Sequence, residues 1–199
     1  MSRKYDTRTN MFDQEGKITQ LQYAVDAINQ AGPALGLLCD TGMILATERE
    51  ISSTLLEQSR HSEKVYCLDS HIYCIVSGMT ADANYLIEYA RRFAQDHRYT
   101  FNAPMPVDQV VQRLCDLKQS YTQYGGMRPF GTSFIFAGWD EVNGYQIYTS
   151  DPAGIFSGWK AIAQGLNNQM TNNFLKQEYK ENISEQEGTE LAVATICKT

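Results

Sequence analysis

The sequence predicts an α+β fold in which antiparallel sheets pack face to face between layers of helices. Apolar runs flank short turn signals at Asp40-Thr41-Gly42 and at Asn143-Gly144, which is typical of hairpins. Strands joined by hairpins are antiparallel. Two amphipathic segments separate a first group of four strands from a second group of four. We therefore expect the helices to form layers outside the sheets.

A helix is predicted ahead of the first strand, over residues 17–30. Its apolar residues recur three or four positions apart, which places them in one stripe: Ile18, Leu21, Val25 and Ile28. The polar segment 1–16 precedes this helix. The chain thus begins with a polar segment and a structured helix rather than with a core strand.

The first group of strands is predicted as two hairpins. They are PALGLLCDTGMILATE and KVYCLDSHIYCIVSG, and the second turns at Asp69-Ser70. Two helices follow, MTADANYLIEYARRFAQDH and PVDQVVQRLCDLKQSYTQYGG. Pro106 suits the first position of the second helix, and Gly125-Gly126 should end it.

The second group begins with the hairpin TSFIFAGWDEVNGYQIYTSD and continues with two short strands within IFSGWKAIAQG. NNQMTNNFLKQEYK is predicted to be a helix. SEQEGTELAVATICK is predicted to be another, because Ser184 and Glu187 form the pattern of a capping box. No repeat or linker interrupts this order, so residues 1–199 are interpreted as a single domain.

Composition narrows the class of protein. The 199 residues are 43% hydrophobic, which indicates a globular chain with a substantial core, and the net charge of −6 argues against a nucleic-acid-binding surface. No apolar run is long enough to cross a bilayer, and we expect no signal peptide. The odd number of cysteines, scattered in apolar segments, favours reduced and buried thiols in a cytoplasmic or nuclear protein: Cys39, Cys67, Cys74, Cys115 and Cys197.

Few patterns point to chemistry by themselves. His71 and Cys74 are spaced as H-x-x-C, but no second pair completes a metal site. Neither a G-x-S-x-G nucleophile motif nor a phosphate-binding loop is present, so no metal and no cofactor are predicted. Lys64 opens an apolar strand, and its spacing alone leaves open whether it is a solvated strand-end lysine or part of a site.

Five segments resemble those of alpha subunits of the 20S proteasome, in the order of that family: YDTRTNMFDQEGKITQLQYA, SSTLLEQ, EKVYCLDSHIYCIVSGMTADAN, YTQYGGMRPFGTSFIFAGWD and YQIYTSDPAGIFSGWKAIAQG. The resemblance extends across nearly the whole chain. It implies the four-layer αββα sandwich of N-terminal-nucleophile hydrolases, with two antiparallel sheets between helix layers. Alpha subunits usually continue past ELAVATICKT with two more strands and a helix, so we expect the C-terminal part of the fold to be missing from this sequence.

The resemblance also bears on catalysis, because beta subunits with this fold are proteases that use an N-terminal threonine as the nucleophile. The pattern of beta subunits puts Gly32 at the nucleophile position, Glu48 at the acidic position and Lys64 at the lysine position. Glycine has no side chain that could attack a peptide, and a leader helix would block the site. We expect a non-catalytic subunit. The alternatives are an N-terminal-nucleophile amidohydrolase and a degenerate copy that no longer assembles.

The polar segment 1–16 resembles the gate of the family, which closes the pore of a seven-membered alpha ring. Four residues match the gate motif: Tyr5, Asp6, Arg8 and Tyr23. Two residues depart from it, since Gln14 replaces a proline in the turn before the helix and Gln22 replaces a glutamate. Glutamine does not preset a turn as proline does, so we expect this turn to be less well fixed. Without the resemblance, the start of this segment would be interpreted as a flexible terminus.

The resemblance further implies a pocket between adjacent alpha subunits. In it, Lys64 receives the C-terminal carboxylate of an activator, and Gly78 and Met79 form the pocket wall.

The expected partners are the other alpha subunits, the beta subunits of the adjacent ring, and the tails of a regulatory ATPase or another activator. No nucleic acid and no membrane is expected as a partner. The chain would then control substrate entry in ubiquitin-dependent protein degradation, in the cytoplasm and nucleus.

Overall fold

The computed structural model describes residues 11–49, 53, 55, 64–124 and 127–198. It confirms the predicted order of one helix, four strands, two helices, four strands and two helices. The helices are α1 (Thr19–Asn29), α2 (Thr80–Phe101), α3 (Val107–Gln123), α4 (Asn168–Glu178) and α5 (Glu185–Ile196). The strands are β1 (Ala34–Leu38), β2 (Met43–Thr47), β3 (Val65–Asp69), β4 (Ile72–Gly78), β5 (Thr132–Asp140), β6 (Gly144–Ser150), β7 (Phe156–Trp159) and β8 (Ala161–Gln164).

The strands form two antiparallel sheets, one with the order β2-β1-β8 and the other with the order β3-β4-β5-β6-β7. The three predicted hairpins are present, and each joins neighbouring strands of one sheet. β7 and β8 are separated only by Lys160, yet they lie in different sheets. The chain therefore crosses from one sheet to the other at this residue.

The two sheets pack on each other through apolar side chains that alternate along the strands. Ala34 of β1 and Ile162 of β8 belong to the same buried cluster as Ile135 and Ile147 of the larger sheet. Gly36 of β1 lies in this interface, and a Cβ built on it would be 2.8 Å from Ile135 Cγ2. A glycine at this position therefore allows the sheets to approach closely.

The helices cover the outer faces of the sheets. α2 and α3 pack on the five-stranded sheet, and α4 and α5 pack on the three-stranded sheet. The four-layer αββα sandwich is therefore confirmed. Lys118 of α3 is fully buried between this helix and the five-stranded sheet, where its ammonium lies over the ring of Phe134.

α1 lies at one end of the sandwich, where it contacts β4 and β5. It begins at Thr19 and ends at Asn29, two residues inside the predicted start and one inside the predicted end. Of its predicted apolar stripe only Ile28 is fully buried, and the other three residues are half-buried. The helix is thus attached to the core mainly through its C-terminal turn.

Two sequence predictions are wrong, and a third concerns residues that the structure does not describe. Pro106 is the residue before α3 rather than its first residue, because its ψ angle of 145° is extended. Cys67 and Cys197 are exposed rather than buried, since Cys67 lies on the edge strand β3 and Cys197 follows the end of α5. The predicted helix stop at Gly125-Gly126 falls outside the described residues. No helix in the described ranges is long and apolar enough to span a membrane.

Candidate functional site

Two of the predicted pocket residues, Lys64 and Gly78, lie close to the C-terminal end of α1 and the residues that follow it. A Cβ built on Gly78 would lie 3.1 Å from Ile28 Cγ1, in the last turn of α1. The Lys64 ammonium lies beside Gly32, three residues after α1 ends. Lys64 and Gly78 are 14 positions apart in sequence, and the antiparallel pairing of β3 and β4 brings their strands side by side.

A backbone hydrogen bond fixes the position of Lys64 on the sheet and leaves its ammonium free to bind a ligand. Its carbonyl oxygen accepts a hydrogen bond of 3.0 Å from the Val76 amide on β4. Its Nζ atom lies 2.5 Å from the position that a Cβ on Gly32 would occupy. In the part of the chain that the structure describes, the half-buried ammonium has no carboxylate partner. A half-buried cation of this kind favours an anionic ligand.

The same geometry shows which parts of a catalytic site are present. The nucleophile and lysine positions meet at Gly32 and Lys64, and the Glu48 amide lies 3.4 Å from the carbonyl oxygen of Pro33. Glu48 itself is exposed. Gly32 offers no hydroxyl or thiol, and its nitrogen is in a peptide bond because the chain continues back into α1. The site therefore has neither a nucleophile nor a free α-amine to activate one.

The isolated chain is expected to show no peptidase activity, because no side chain at position 32 can form an acyl intermediate. Covalent inhibitors directed at N-terminal threonine should leave it unlabelled in an intact-mass measurement, while catalytic beta subunits treated in parallel provide the positive control. A covalent adduct that maps near Gly32 would contradict this prediction.

The predicted wall residues Gly78 and Met79 lie in a close backbone contact with Gly131. Gly78 has a φ angle of +108°, and a Cβ there would be only 2.2 Å from the carbonyl oxygen of Gly131. Only glycine fits both the angle and the space. The next amide, that of Met79, donates a 2.9 Å hydrogen bond to the same carbonyl. The Met79 side chain is about half exposed and lies over Gly131, where a Cβ would be 2.9 Å from its Sδ.

An ion pair joins the segment 128–131 to the start of α2. Arg128 donates two hydrogen bonds to the two carboxylate oxygens of Asp82, at 2.6 and 2.7 Å, and the Gly131 amide donates a third of 3.0 Å to the same group. The hydrogen bond from Arg128 is the main reason that the pKa of Asp82 is lowered. No periodicity connects residues 46 positions apart, so only the tertiary structure reveals this pair.

The gate residues are only partly within the described structure. Tyr23 lies on α1 with about half of its side chain exposed, whereas Tyr5, Asp6 and Arg8 lie outside the described residues. The turn that contains Gln14 is closed by the carboxylate of Asp13, which accepts hydrogen bonds from the amides of Glu15 and Lys17. A side-chain-stabilised turn therefore takes the place of the proline turn.

Among the described residues, no group of three or more His, Cys, Asp or Glu side chains could hold an ion. His71 makes a 2.8 Å hydrogen bond through Nε2 to the carbonyl oxygen of Met105. Cys74 is fully buried, and burial raises the pKa of its thiol, which disfavours the thiolate that metals bind.

Comparison with known proteins agrees with the fold. A family model for proteasome subunits matches residues 28–199. The chain is 50% identical over all 199 of its residues to proteasome subunit alpha type-4-A of Arabidopsis thaliana, and it covers 80% of that protein. It is 49% identical over the same span to proteasome subunit alpha type-4 of Spinacia oleracea and to a probable proteasome subunit alpha type-3 of Schizosaccharomyces pombe, again covering 80% of each.

These relatives bear on the subunit type as well as on the family. The segments SRKYDTRT and SSTLLEQ of this chain most closely resemble type-4 alpha subunits, in agreement with the plant relatives. Alpha subunits are the non-catalytic subunits of the 20S proteasome, so the amidohydrolase alternative is rejected. The sandwich fold, the match over residues 28–199 and the identity over the full chain lead to one conclusion: the chain belongs to the proteasome subunit family, as a subunit of the alpha type.

Proposed function

We propose that this chain gates the pore of the outer alpha ring of a 20S proteasome and receives the C-terminal tail of an activator beside α1. Its partners would be the other alpha subunits of a seven-membered ring, the beta subunits of the adjacent ring, and a regulatory ATPase or another activator. It would act in ubiquitin-dependent degradation, in the cytoplasm and nucleus. The observation that carries the proposal is the Lys64 ammonium, which lies beside Gly32 with no described carboxylate partner.

The chemistry of Lys64 suits the terminal carboxylate of an extended tail. Carboxylate and ammonium form a charge-assisted hydrogen bond, which contributes about 1.5 to 3 kcal/mol when one partner is a charged group. The absence of a side chain at Gly32 allows the ammonium to lie close to the backbone after α1, and Gly78 allows the backbone of Gly131 to approach the predicted wall closely. The half-exposed Met79 supplies an apolar contact for the side chains of the tail.

The gate proposal is supported by the turn ahead of α1. Phe12 pairs with Ile18 in an isolated bridge, and the Asp13 amide donates a 2.8 Å hydrogen bond to the Lys17 carbonyl. These bonds set the position of residue 11 relative to α1 and hence to the tail site at the other end of this helix. A ligand that shifts α1 would then also shift the end of the gate segment that adjoins this helix, which is the coupling that an activator requires.

Removal of residues 1–9 is expected to open the channel of assembled particles without an activator. The closed gate must be held by specific contacts, for which Tyr5, Asp6 and Arg8 are the candidates. Partly hydrated contacts of this kind contribute about 1 kcal/mol each, so Tyr5→Phe should raise basal opening only about fivefold while the deletion removes all of them. The measurement is the rate of hydrolysis of a short fluorogenic peptide by the purified particles.

Folding serves as the control for this deletion, because the apolar stripe of α1 begins only at Ile18. The urea midpoint of the isolated chain should therefore not change. Equal hydrolysis rates for truncated and intact particles would show that this segment is not the gate. Loss of assembly would instead assign the segment to the contact between subunits.

A further inference from the structure

We infer that the Asp82–Arg128 ion pair is a positioning element for the activator-tail pocket: it fixes the backbone and side chain of the wall residue Met79 through Gly131. The inference rests on the proposed function, because it concerns the same pocket. It assigns a role to two residues that do not themselves contact the Lys64 ammonium. A series of short contacts runs from Asp82 through Gly131 to Met79.

Asp82 and Met79 hold the same glycine from two directions. The Asp82 carboxylate accepts the Gly131 amide at 3.0 Å, and the Gly131 carbonyl accepts the Met79 amide at 2.9 Å. Met79 and Asp82 are in turn linked by the first turn of α2, where the Ala83 amide donates to the Met79 carbonyl at 3.1 Å. Gly131, Met79 and the first turn of α2 therefore form a closed ring of hydrogen bonds. Asp82 is the charged residue in this ring.

Arg128 keeps the carboxylate of Asp82 in the orientation that this ring requires. Its two parallel hydrogen bonds use both oxygens of the carboxylate, which fixes the plane of the group. The other side of the same loop is anchored by Phe130, which is buried between the rings of Tyr85 and Tyr121 at centroid distances of 6.0 and 4.3 Å. Because Phe130 holds the loop against α2 and α3, loss of Arg128 or Asp82 should shift Gly131 locally rather than unfold the loop.

The position of Gly131 matters because the wall has no room to adapt. A Cβ at Gly78 would be 2.2 Å from the Gly131 carbonyl oxygen, so this contact already has minimal spacing. The Met79 thioether lies directly over Gly131. A small displacement of Gly131 therefore moves both the wall backbone and the apolar surface that faces the tail.

The chain itself provides a matched control for this ion pair. At the other end of α2, Arg98 donates from Nη2 to both carboxylate oxygens of Asp69, at 2.9 and 3.0 Å, whereas Arg128 uses both of its terminal nitrogens. The side chains of Asp69 and Asp82 are 13% and 10% exposed, and those of Arg98 and Arg128 are 47% and 56% exposed. The two pairs should thus respond alike to any general effect of losing an ion pair, while only one of them adjoins the wall.

The test compares Asp82→Asn with Asp69→Asn in assembled particles. The probe is a synthetic peptide that matches the last ten residues of a regulatory ATPase, carries a photoreactive side chain and has a free C-terminal carboxylate. The readout is the peptide concentration at half-maximal crosslinking to this chain, measured by mass spectrometry. We expect Asp82→Asn to raise this concentration about three- to tenfold, with no change for Asp69→Asn.

The sign of the effect separates positioning from simple electrostatics. If the ion pair acted only through charge, removal of the Asp82 carboxylate would leave Arg128 unpaired and would strengthen binding of an anionic tail. Positioning predicts weaker binding, and it predicts the same loss for Gly131→Ala, because the added Cβ would displace the Met79 side chain. The Gly42→Ala variant, where a Cβ would meet only Glu185 at 3.4 Å, is the control for adding a methyl group.

The outcomes also separate this inference from the proposed function. If Lys64→Ala weakens crosslinking while Asp82→Asn matches Asp69→Asn, the pocket stands and the positioning role is wrong. If binding becomes tighter in Asp82→Asn, the positioning role is also wrong. If Lys64→Ala leaves crosslinking unchanged, and an amidated peptide binds as well as the free carboxylate, the proposed tail pocket itself is wrong.

Discussion

Replacement of Lys64 by alanine is expected to weaken binding of an activator tail to this subunit about ten- to a hundredfold, because the tail carboxylate loses its charge-assisted hydrogen bond. The measurement is the crosslinking concentration of the tail peptide in assembled particles, which reports on this pocket alone. Overall affinity of a whole activator would change less, since tails in other pockets bind at the same time.

This loss should occur without a loss of stability. Lys64 is half-buried, and its ammonium has no carboxylate partner among the residues that the structure describes. Its removal should change the free energy of unfolding by no more than about 0.5 kcal/mol, as is usual for a residue outside the core. Urea unfolding of the isolated chain measures this change.

Two further variants test whether the position of the charge matters. Lys64→Arg keeps a cation but spreads it over a planar group, so it should recover only part of the affinity. Gly32→Ala keeps the lysine, but its Cβ would be 2.5 Å from the present position of Nζ and would displace the ammonium. We expect Gly32→Ala to bind the tail less tightly than the unmodified chain. Unchanged tail binding in Lys64→Ala would identify Lys64 as a solvated strand-end lysine.

The second large effect concerns stability and involves the buried Lys118. Its Nζ atom donates hydrogen bonds to the Thr132 carbonyl at 3.1 Å, to Ser150 Oγ at 2.9 Å and to the Asp151 carbonyl at 3.3 Å. It also lies 4.7 Å from the centre of the Phe134 ring. This single side chain therefore connects α3 to the start of β5 and to the end of β6.

Lys118→Ala is expected to lower the free energy of unfolding by about 3 to 5 kcal/mol, because it leaves a cavity in the core and buried acceptors without a donor. Lys118→Met keeps the apolar stem and removes the cost of burying a charge, so it should lower stability less. Urea unfolding of the three chains at pH 7 measures both differences. Equal stability of all three would mean that the contacts of Lys118 contribute nothing to the fold.

The pH dependence of stability gives an independent test of Lys118. Burial lowers the pKa of Lys118 from its ordinary 10.5 to about 8. Between these values the folded chain binds fewer protons at this residue than the unfolded chain, so its contribution to stability rises as the pH rises. From pH 7 to pH 9 we expect a gain of about 1 kcal/mol, which Lys118→Met should lack. A difference between the two chains that does not change with pH would contradict the lowered pKa.

Sequence patterns by themselves determined the order of the helices and strands. Turn residues and alternation predicted the three hairpins, and the capping box of α5 is formed by Ser184 and Glu187 as the sequence indicates. These features are local, because they depend on residues within a few positions of one another. The absence of a nucleophile at Gly32 also follows from the sequence, once the resemblance to alpha subunits aligns that position.

Only the tertiary structure decided which distant residues meet at the site and which are buried. The contact of Lys64 with Gly32 and the pairing of Asp82 with Arg128 join residues 32 and 46 positions apart, and their proximity depends on how the sheets and loops pack. Burial is decided in the same way. Lys118 falls four positions after Leu114, on the apolar face of α3, yet its charge predicts solvent exposure. It is buried because the start of β5 and the end of β6 provide hydrogen-bond acceptors for its ammonium. No local sequence pattern indicates that these acceptors lie beside Lys118.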